Sequence, residues 1–285
     1  MKRRQTDIPG AGPAELAALP RLPRPVYGHV LGLSNRAIGR RHRHPWVQLS
    51  YAAKGVVEVI TDGGRYVAPP RHAVWVPPGL PHAVRCVEGT EIRSLYIDPA
   101  ALAPPLAHDA ADAPDAPDAP DAPGRACRVL AVTPLLRELI RGFSEFPVEY
   151  EEDGAQGRLA AVLLDQLAAA PEAGLALPLP VDARLRRICR ELQARPDSAR
   201  TLAEHAARLA VSEKTLSRLF LRQTGLTFRA WRQRLRILAA LPLLERGERV
   251  TDVAIACGYD SMSAFIAAFR WFAGVTPGEF FAGQR

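Results

Sequence analysis

Two segments toward the C-terminal end follow one pattern, and that duplication restricts the fold more than any other feature of the chain. Leu202–Phe220 and Val250–Phe269 each open as a short helix with a small residue, Ala206 and Ala254, where a second helix must approach. Four residues later comes a turn residue, Ala210 and Gly258, and then a Ser able to cap the next helix, Ser212 and Ser261. A small side chain lets two helix axes come close, and Gly takes backbone angles that are costly for other residues. The Ser hydroxyl accepts orphan N–H groups at the start of the next helix. Ala206 to Ala254 and Ala210 to Gly258 are both 48 positions apart. This is helix-turn-helix grammar written twice in register. Leu226–Glu245 fits the helix joining the two units. Pro242 within it offers no N–H to the carbonyl of Leu238, which predicts a bend or an early end there.

Such a unit sets the first turns of its second helix in the DNA major groove, so early, solvent-facing residues are the expected contacts. In the first unit these are Lys214, Thr215, Ser217 and Arg218, with Arg222 a turn further on, while Leu216, Leu219 and Phe220 face the core. Arg218 is shaped to fork onto guanine O6 and N7, whereas Lys214 and Arg222 suit phosphate. The second unit offers Ser261, Met262, Ser263 and Arg270 on a more apolar helix that includes Ile266 and Ala267. With few forked donors it is expected to discriminate bases less sharply and mainly to fix register. Charge is segregated to match. Residues 182–285 hold 18 Lys and Arg against 10 Asp and Glu, leaving 19 against 20 for residues 1–181. A polyanion partner accounts for that asymmetry; a uniformly basic protein does not show it.

At 285 residues the chain has room for two domains with separate cores. The four cysteines (Cys86, Cys127, Cys189, Cys257) are widely spaced with no C-x-x-C pair. That spacing opposes a zinc ribbon or disulfide framework and fits a reducing cytoplasm. No apolar run follows Met1-Lys-Arg-Arg4, so no secretory signal is expected, and Leu159–Ala170 is too short to span a bilayer. We expect a cytoplasmic protein without a membrane partner.

Residues 1–25 read as a loosely ordered Pro- and Arg-rich arm. Residues 26–108 carry short β-like runs: Trp46–Tyr51, Val56–Ile60, Tyr66–Val67, Ala73–Val76, His82–Arg85 and Ile92–Ile97, with Asp62-Gly-Gly64 as a hairpin turn. Their spacing predicts an antiparallel barrel or jelly roll. Residues 109–131 contain the Asp-Ala-Pro repeat Asp112–Pro123, an extended solvated loop read as a tolerated insertion. Residues 132–170 hold two amphipathic helices, Thr133–Phe143 and Gln156–Ala169. The second carries Leu159, Val162, Leu163, Gln166 and Leu167 on one stripe, either core or a subunit interface. Residues 171–181 read as the interdomain linker, and residues 182–285 form the all-helical domain.

Within the β region His42-Arg-His44, Gln48 and, later, His82 stand out. His42 and His44 share a face if they lie on a strand, and a third imidazole with a carboxamide oxygen would complete a divalent-metal site with open positions. The competing reading is a polar pocket that meets an effector directly. Trp46, Tyr51 and Trp75 are candidate pocket walls, although for each alone core packing is the more ordinary role.

Residues 182–285 resemble the DNA-binding module of the AraC/XylS family of transcriptional regulators. The resemblance rests on Ser212–Phe220, Thr224–Trp231, Val253-Ala254, Cys257–Ser261, Ser263–Phe265, Phe269-Arg270 and Gly274–Pro277. Three positions depart from the pattern. His205 stands where the family buries an aliphatic or aromatic residue, Ala267 where many members carry an Arg, and Pro242 inside the linker helix. The run His-x-His, Gln48, Gly55 and then Pro77-Pro-Gly79 with His82 resembles the two cupin motifs, with Gln in the usual Glu position and Arg71 and Cys86 departing from the second.

Together the resemblances imply a two-domain α+β chain: an N-terminal cupin-like antiparallel β-barrel with accessory helices and a C-terminal all-α domain with two helix-turn-helix units. They imply a regulator that binds a double-stranded DNA operator as a homodimer and senses a small molecule or metal. RNA polymerase stays open as a partner, as do activation and repression. The rival reading is a cupin-type metalloenzyme, dioxygenase-like, with an accessory helical domain; segregated charge and paired helix-turn-helix units speak against it. No catalytic residue is assigned.

Overall fold

The structure is a computed structural model that describes residues 22–32, 41–86, 90–102, 126–147 and 149–282. It is a two-domain α+β chain whose compact units are residues 1–61 with 66–174, and 62–65 with 175–285. Residues 1–21 of the expected arm and 109–125 of the Asp/Ala/Pro loop lie outside the described residues. Among the described residues, no helix is long and apolar enough to cross a membrane.

The first unit contains β1 (Val26–Gly32), β2 (Val47–Lys54), β3 (Val57–Ile60), residues 66–68 of β4 (Gly64–Ala68), β5 (His72–Val76), β6 (Ala83–Cys86), β7 (Glu91–Ile97) and β8 (Arg128–Ala131). Helices α1 (Pro134–Phe143) and α2 (Ala155–Ala168) follow, then the short strand β9 (Glu172–Ala173). One antiparallel sheet runs β1-β7-β2-β5-β8-β9, and in a second β3 lies between β4 and β6. Alternation along the strands separates two environments. Val47, Leu49 and Tyr51 of β2 join Trp75, Leu95 and Ile97 in a core covered by Leu136 and Ile140 of α1 and Leu163 and Leu167 of α2. The opposite face of β2 presents Gln48 and Ser50, which pair across to Tyr96 and Ser94 of β7. The start of α1 is capped by Thr133, whose hydroxyl accepts from Leu136 N at 3.2 Å, with Pro134 at the first helical position.

The second unit begins with β10 (Ala176–Pro178), so the expected linker carries the short strands β9 and β10 and buries Leu175 and Leu177. Then come α3 (Ala183–Ala194), α4 (Leu202–Arg208), α5 (Glu213–Thr224), α6 (Phe228–Glu245), α7 (Val250–Ala256), α8 (Met262–Ala273) and α9 (Pro277–Ala282). The expected early end at Pro242 is not found, since α6 runs on to Glu245. Proline there removes one N–H close to the end of the helix. Burial of Leu238, Leu241, Pro242 and Leu244 holds the final turn.

Candidate nucleic-acid interface and buried histidine cluster

Helices α4 and α5 form the first helix-turn-helix and α7 and α8 the second, joined by α6. Both α4 and α7 end in the same left-handed turn. Ala210 has φ +52° and Gly258 φ +78°. Val211 N donates to Ala206 O at 3.1 Å, and Tyr259 N donates to Ala254 O at 2.9 Å. These are the six-to-one bonds of a Schellman cap, so the small residues that let the helices approach also anchor the turns. Ser212 and Ser261 cap α5 and α8 through Thr215 N and Ala264 N at 3.1 and 3.2 Å. The spacing between units grows from 48 to 49 across the turn because Gly258-Tyr-Asp-Ser holds one residue more than Ala210-Val-Ser. Under α5, Phe220 packs edge-on to Phe228 and Trp231; under α8, Phe265 meets Phe269, which meets Phe280.

Of the first-unit contacts expected from sequence, Lys214, Thr215, Arg218 and Arg222 are exposed and Ser217 is half-buried. Ser261, Met262, Ser263 and Arg270 of the second unit are exposed as well. The electrostatic distinction is sharper than exposure alone. Arg187, Arg200 and Arg208 converge on Glu191, and Arg184, Arg246 and Arg249 pair with Asp182, Glu248 and Asp252. Hydrogen bonding from Arg208, reinforced by Arg187, holds the Glu191 carboxyl at about 2, so that acid stays ionised and its arginines stay engaged. Among the described residues, Lys214, Arg218, Arg222 and Arg270 form no ion pair. Sequence reasoning missed Arg229, which is exposed near the start of α6 and likewise forms none.

In the first unit of the chain, His42 and His82 exchange backbone hydrogen bonds at 2.9 Å each, outside the named strands. One ring nitrogen from each of His42, His44 and His82 falls within 4.8 Å of the others. His44 Nδ1 lies 2.9 Å from Trp46 O and His82 Nδ1 2.8 Å from Leu80 O; a carbonyl only accepts, so both Nδ1 atoms carry the proton. Their Nε2 lone pairs then face Gln48 Oε1 at 2.9 and 3.1 Å. Burial keeps both rings neutral, lowering His44 and driving His82 down to about 3. Lone pairs thus meet a lone-pair-bearing oxygen. Either a cation among them or the amide turned to present its NH2 satisfies that arrangement, with Ser50 Oγ, 3.1 Å from the amide, then facing the oxygen. The donor set and the backbone-fixed tautomers fit a divalent metal.

The three candidate pocket aromatics separate. Tyr51 and Trp75 lie in the core beneath α1 and α2, on the face of β2 and β5 opposite Gln48, because odd and even positions of a strand point apart. They line no common site with the histidines. Trp46 packs with Leu22, Tyr27 and Tyr96, and Tyr96 stands edge-on to His44 at 5.7 Å. Sequence reasoning missed Ser50, Ser94 and Tyr96, which are buried on the Gln48 face; the parity of β2 and β7 was the available signal.

Comparison with known proteins agrees with both halves. Residues 25–168 match the AraC-like ligand binding domain, and residues 205–283 match a helix-turn-helix domain. The HTH-type transcriptional regulator NimR of Escherichia coli K12 is 32% identical over 241 residues, covering 85% of this chain and 81% of the relative. RipA of Corynebacterium glutamicum, also an HTH-type transcriptional regulator, is 36% identical over 107 residues, 38% of this chain and 32% of its own. A solved DNA-binding transcriptional dual regulator from Escherichia coli K-12 shares 31% identity over 35% of this chain and 89% of its own, with a TM-score of 0.32.

Proposed function

The chain belongs to the AraC family of transcriptional regulators, with a ligand-binding domain and a DNA-binding helix-turn-helix domain, and from that premise we propose how its residues divide the work. Helix α5 reads bases through Arg218 while Lys214, Thr215, Ser217 and Arg222 position it. Helix α8 fixes register through Ser261, Met262, Ser263 and Arg270. The observation that carries this is the set of cations on α5 that form no ion pair among the described residues, beside Arg200, Arg208, Arg246 and Arg249, which acids engage. Binding of the full chain to its operator should weaken steeply with salt, since each neutralised phosphate releases counterions. Affinity that barely moves from low to moderate salt would contradict it.

The effector meets the buried polar face formed by His44, Gln48, Ser50, His82, Ser94 and Tyr96. A divalent metal would be held by His42, His44, His82 and the Gln48 oxygen, where it would act as a Lewis acid toward an effector's oxygen or nitrogen. The protein's own groups supply the fixed tautomers and a site sheltered from water. Elemental analysis should find metal in the supplemented wild type and none in a His42→Ala, His44→Ala variant. Wild type without metal would leave the polar pocket as the effector site and remove the metal.

Two copies of the chain associate through α2. Leu159 and Val162 are 40% and 42% exposed on the stripe whose Leu163 and Leu167 are buried. Leu159→Glu should turn a dimer into a monomer in sedimentation; a monomeric wild type would contradict the pairing. This division of roles needs no catalytic residue, and it operates in the cytoplasm, where the operator and RNA polymerase are met.

A further inference from the structure

Between the two helix-turn-helix units runs an open groove of about 700 Å³ whose lining includes no acidic residue. One wall is the face of α6 carrying Arg229, Arg232 and Arg236; the other is the face of α8 carrying Ala264, Ala267 and Trp271. The cations differ in how they are held. Arg232 Nη1 donates to Arg200 O at 2.9 Å and Nη2 to Ser198 O, leaving Nε buried without a partner. Arg236 Nε donates to Pro196 O at 3.1 Å, and its guanidinium lies over the Tyr259 ring at 5.6 Å. The Tyr259 hydroxyl is also buried without a partner. Arg229 is exposed, with no hydrogen bond or ion pair among the described residues, and Trp271 on the opposite rim is 75% exposed.

Two fixed charges, one free charge, an unpaired N–H and an unpaired hydroxyl thus line an open trough, which suits an anion. The trough borders the exposed opening turns of α8, where Ser263 and Ala264 face solvent. Two helices that read successive major-groove segments on one side of a duplex sit roughly 34 Å apart, one helical turn. The phosphate backbone between those segments must then pass the surface joining the units, which is α6. We propose that this groove seats the sugar-phosphate backbone of the operator between its two major-groove segments, with Arg229 on a phosphate and the Trp271 indole against a deoxyribose. This assignment deepens the DNA-binding reading and rests on it.

The test uses the full chain and the sequence it selects from a random duplex library, titrated across a range of KCl. Arg229→Ala should lower the slope of log affinity against log salt by about one, weaken selected and random DNA equally, and leave base preference unchanged. Between roughly 50 and 200 mM salt this is a difference of about threefold in how far affinity falls. Arg229→Lys should keep the slope. Trp271→Ala should abolish hydroxyl-radical protection of the deoxyriboses between the two protected segments. Both side chains are exposed, so matched melting temperatures are expected and are measured alongside. An unchanged slope in Arg229→Ala with wild-type binding intact overturns the assignment alone, as does a shift in base preference, which would make Arg229 a base reader. Loss of the effect in competition with a small organic anion, and not with heparin, would instead identify a small-molecule groove and equally overturn it. A wild type that binds no DNA overturns both this assignment and the function it rests on.

Discussion

The first helix-turn-helix unit and the second share a backbone and expose opposite chemistry. Their turns are alike down to the Schellman bond that ends on Ala206 in one and Ala254 in the other. Around that frame the residues diverge. The first unit carries an Ala in the left-handed turn, a buried imidazole at His205 and a capping box of Thr201 with Glu204. The second places Gly258 and Val253 at the matching positions, and its α7 has no side-chain cap. On the outer surface the first unit shows three cations, Lys214, Arg218 and Arg222, where the second shows Arg270 beside Met262, 42% exposed, and Trp271. A duplicated fold constrains where helices meet and leaves free what they present, so one unit can specialise in reading while the other holds position.

The largest expected effect comes from making the second turn resemble the first. Gly258→Ala would set a Cβ 2.7 Å from the Asp197 Cα at a φ of +78°. Backbone has to move, and we expect a loss of about 2–3 kcal/mol in unfolding free energy by denaturant titration. A loss under half of that would mean the second turn is as tolerant as the first.

His205 gives the next test. It is 1% exposed, edge-on to Phe228, and neither ring nitrogen has a hydrogen-bond partner. His205→Val, copying Val253, should stabilise the unit by about 1–2 kcal/mol at neutral pH by removing an unsatisfied buried polar group. Burial first, then the nearby Arg200, lowers the folded-state pKa of His205 below its ordinary 6.5. The unfolded chain therefore takes up a proton first as pH falls through that value, and wild type loses stability on acidification. The advantage of the variant should widen below pH 6.5, read by hydrogen exchange at α4 and α5. A gap independent of pH would show that His205 titrates alike folded and unfolded.

Ala210→Gly should have the smallest effect on stability. Relief of the left-handed alanine, set against the entropy of an added glycine, leaves a net gain of roughly 0.5–1 kcal/mol. Destabilisation would show that the methyl group packs usefully.

Much of this was legible before the structure. The doubled pattern located both units and both Ser caps because its signals are local: a cap, a small residue and a turn residue act within a few positions. Strand β8 lies within residues 109–131, which from sequence resemble a loop, since four residues cannot show alternation and their partners, such as Ala73 opposite Leu130, are distant in sequence. The histidine cluster was found from residue type and spacing. Of its candidate walls, Tyr51 and Trp75 take the core role that is the more ordinary one for a single aromatic, because their parity is opposite to that of Gln48. At Pro242 helix propensity alone predicts a bend or an early end, where burial of its neighbours decides.

The division of labour between the units is tested most directly by selecting bound sequences from a random duplex library with wild type, Arg218→Ala and Ser263→Ala. A bidentate arginine contact discriminates against a wrong base by about 1–3 kcal/mol, which a single hydroxyl seldom matches. Arg218→Ala should therefore weaken binding and erase base preference in one half of the operator, while Ser263→Ala leaves the preference nearly intact. A sharper loss of preference in Ser263→Ala than in Arg218→Ala would contradict the account and make α8 the reading helix.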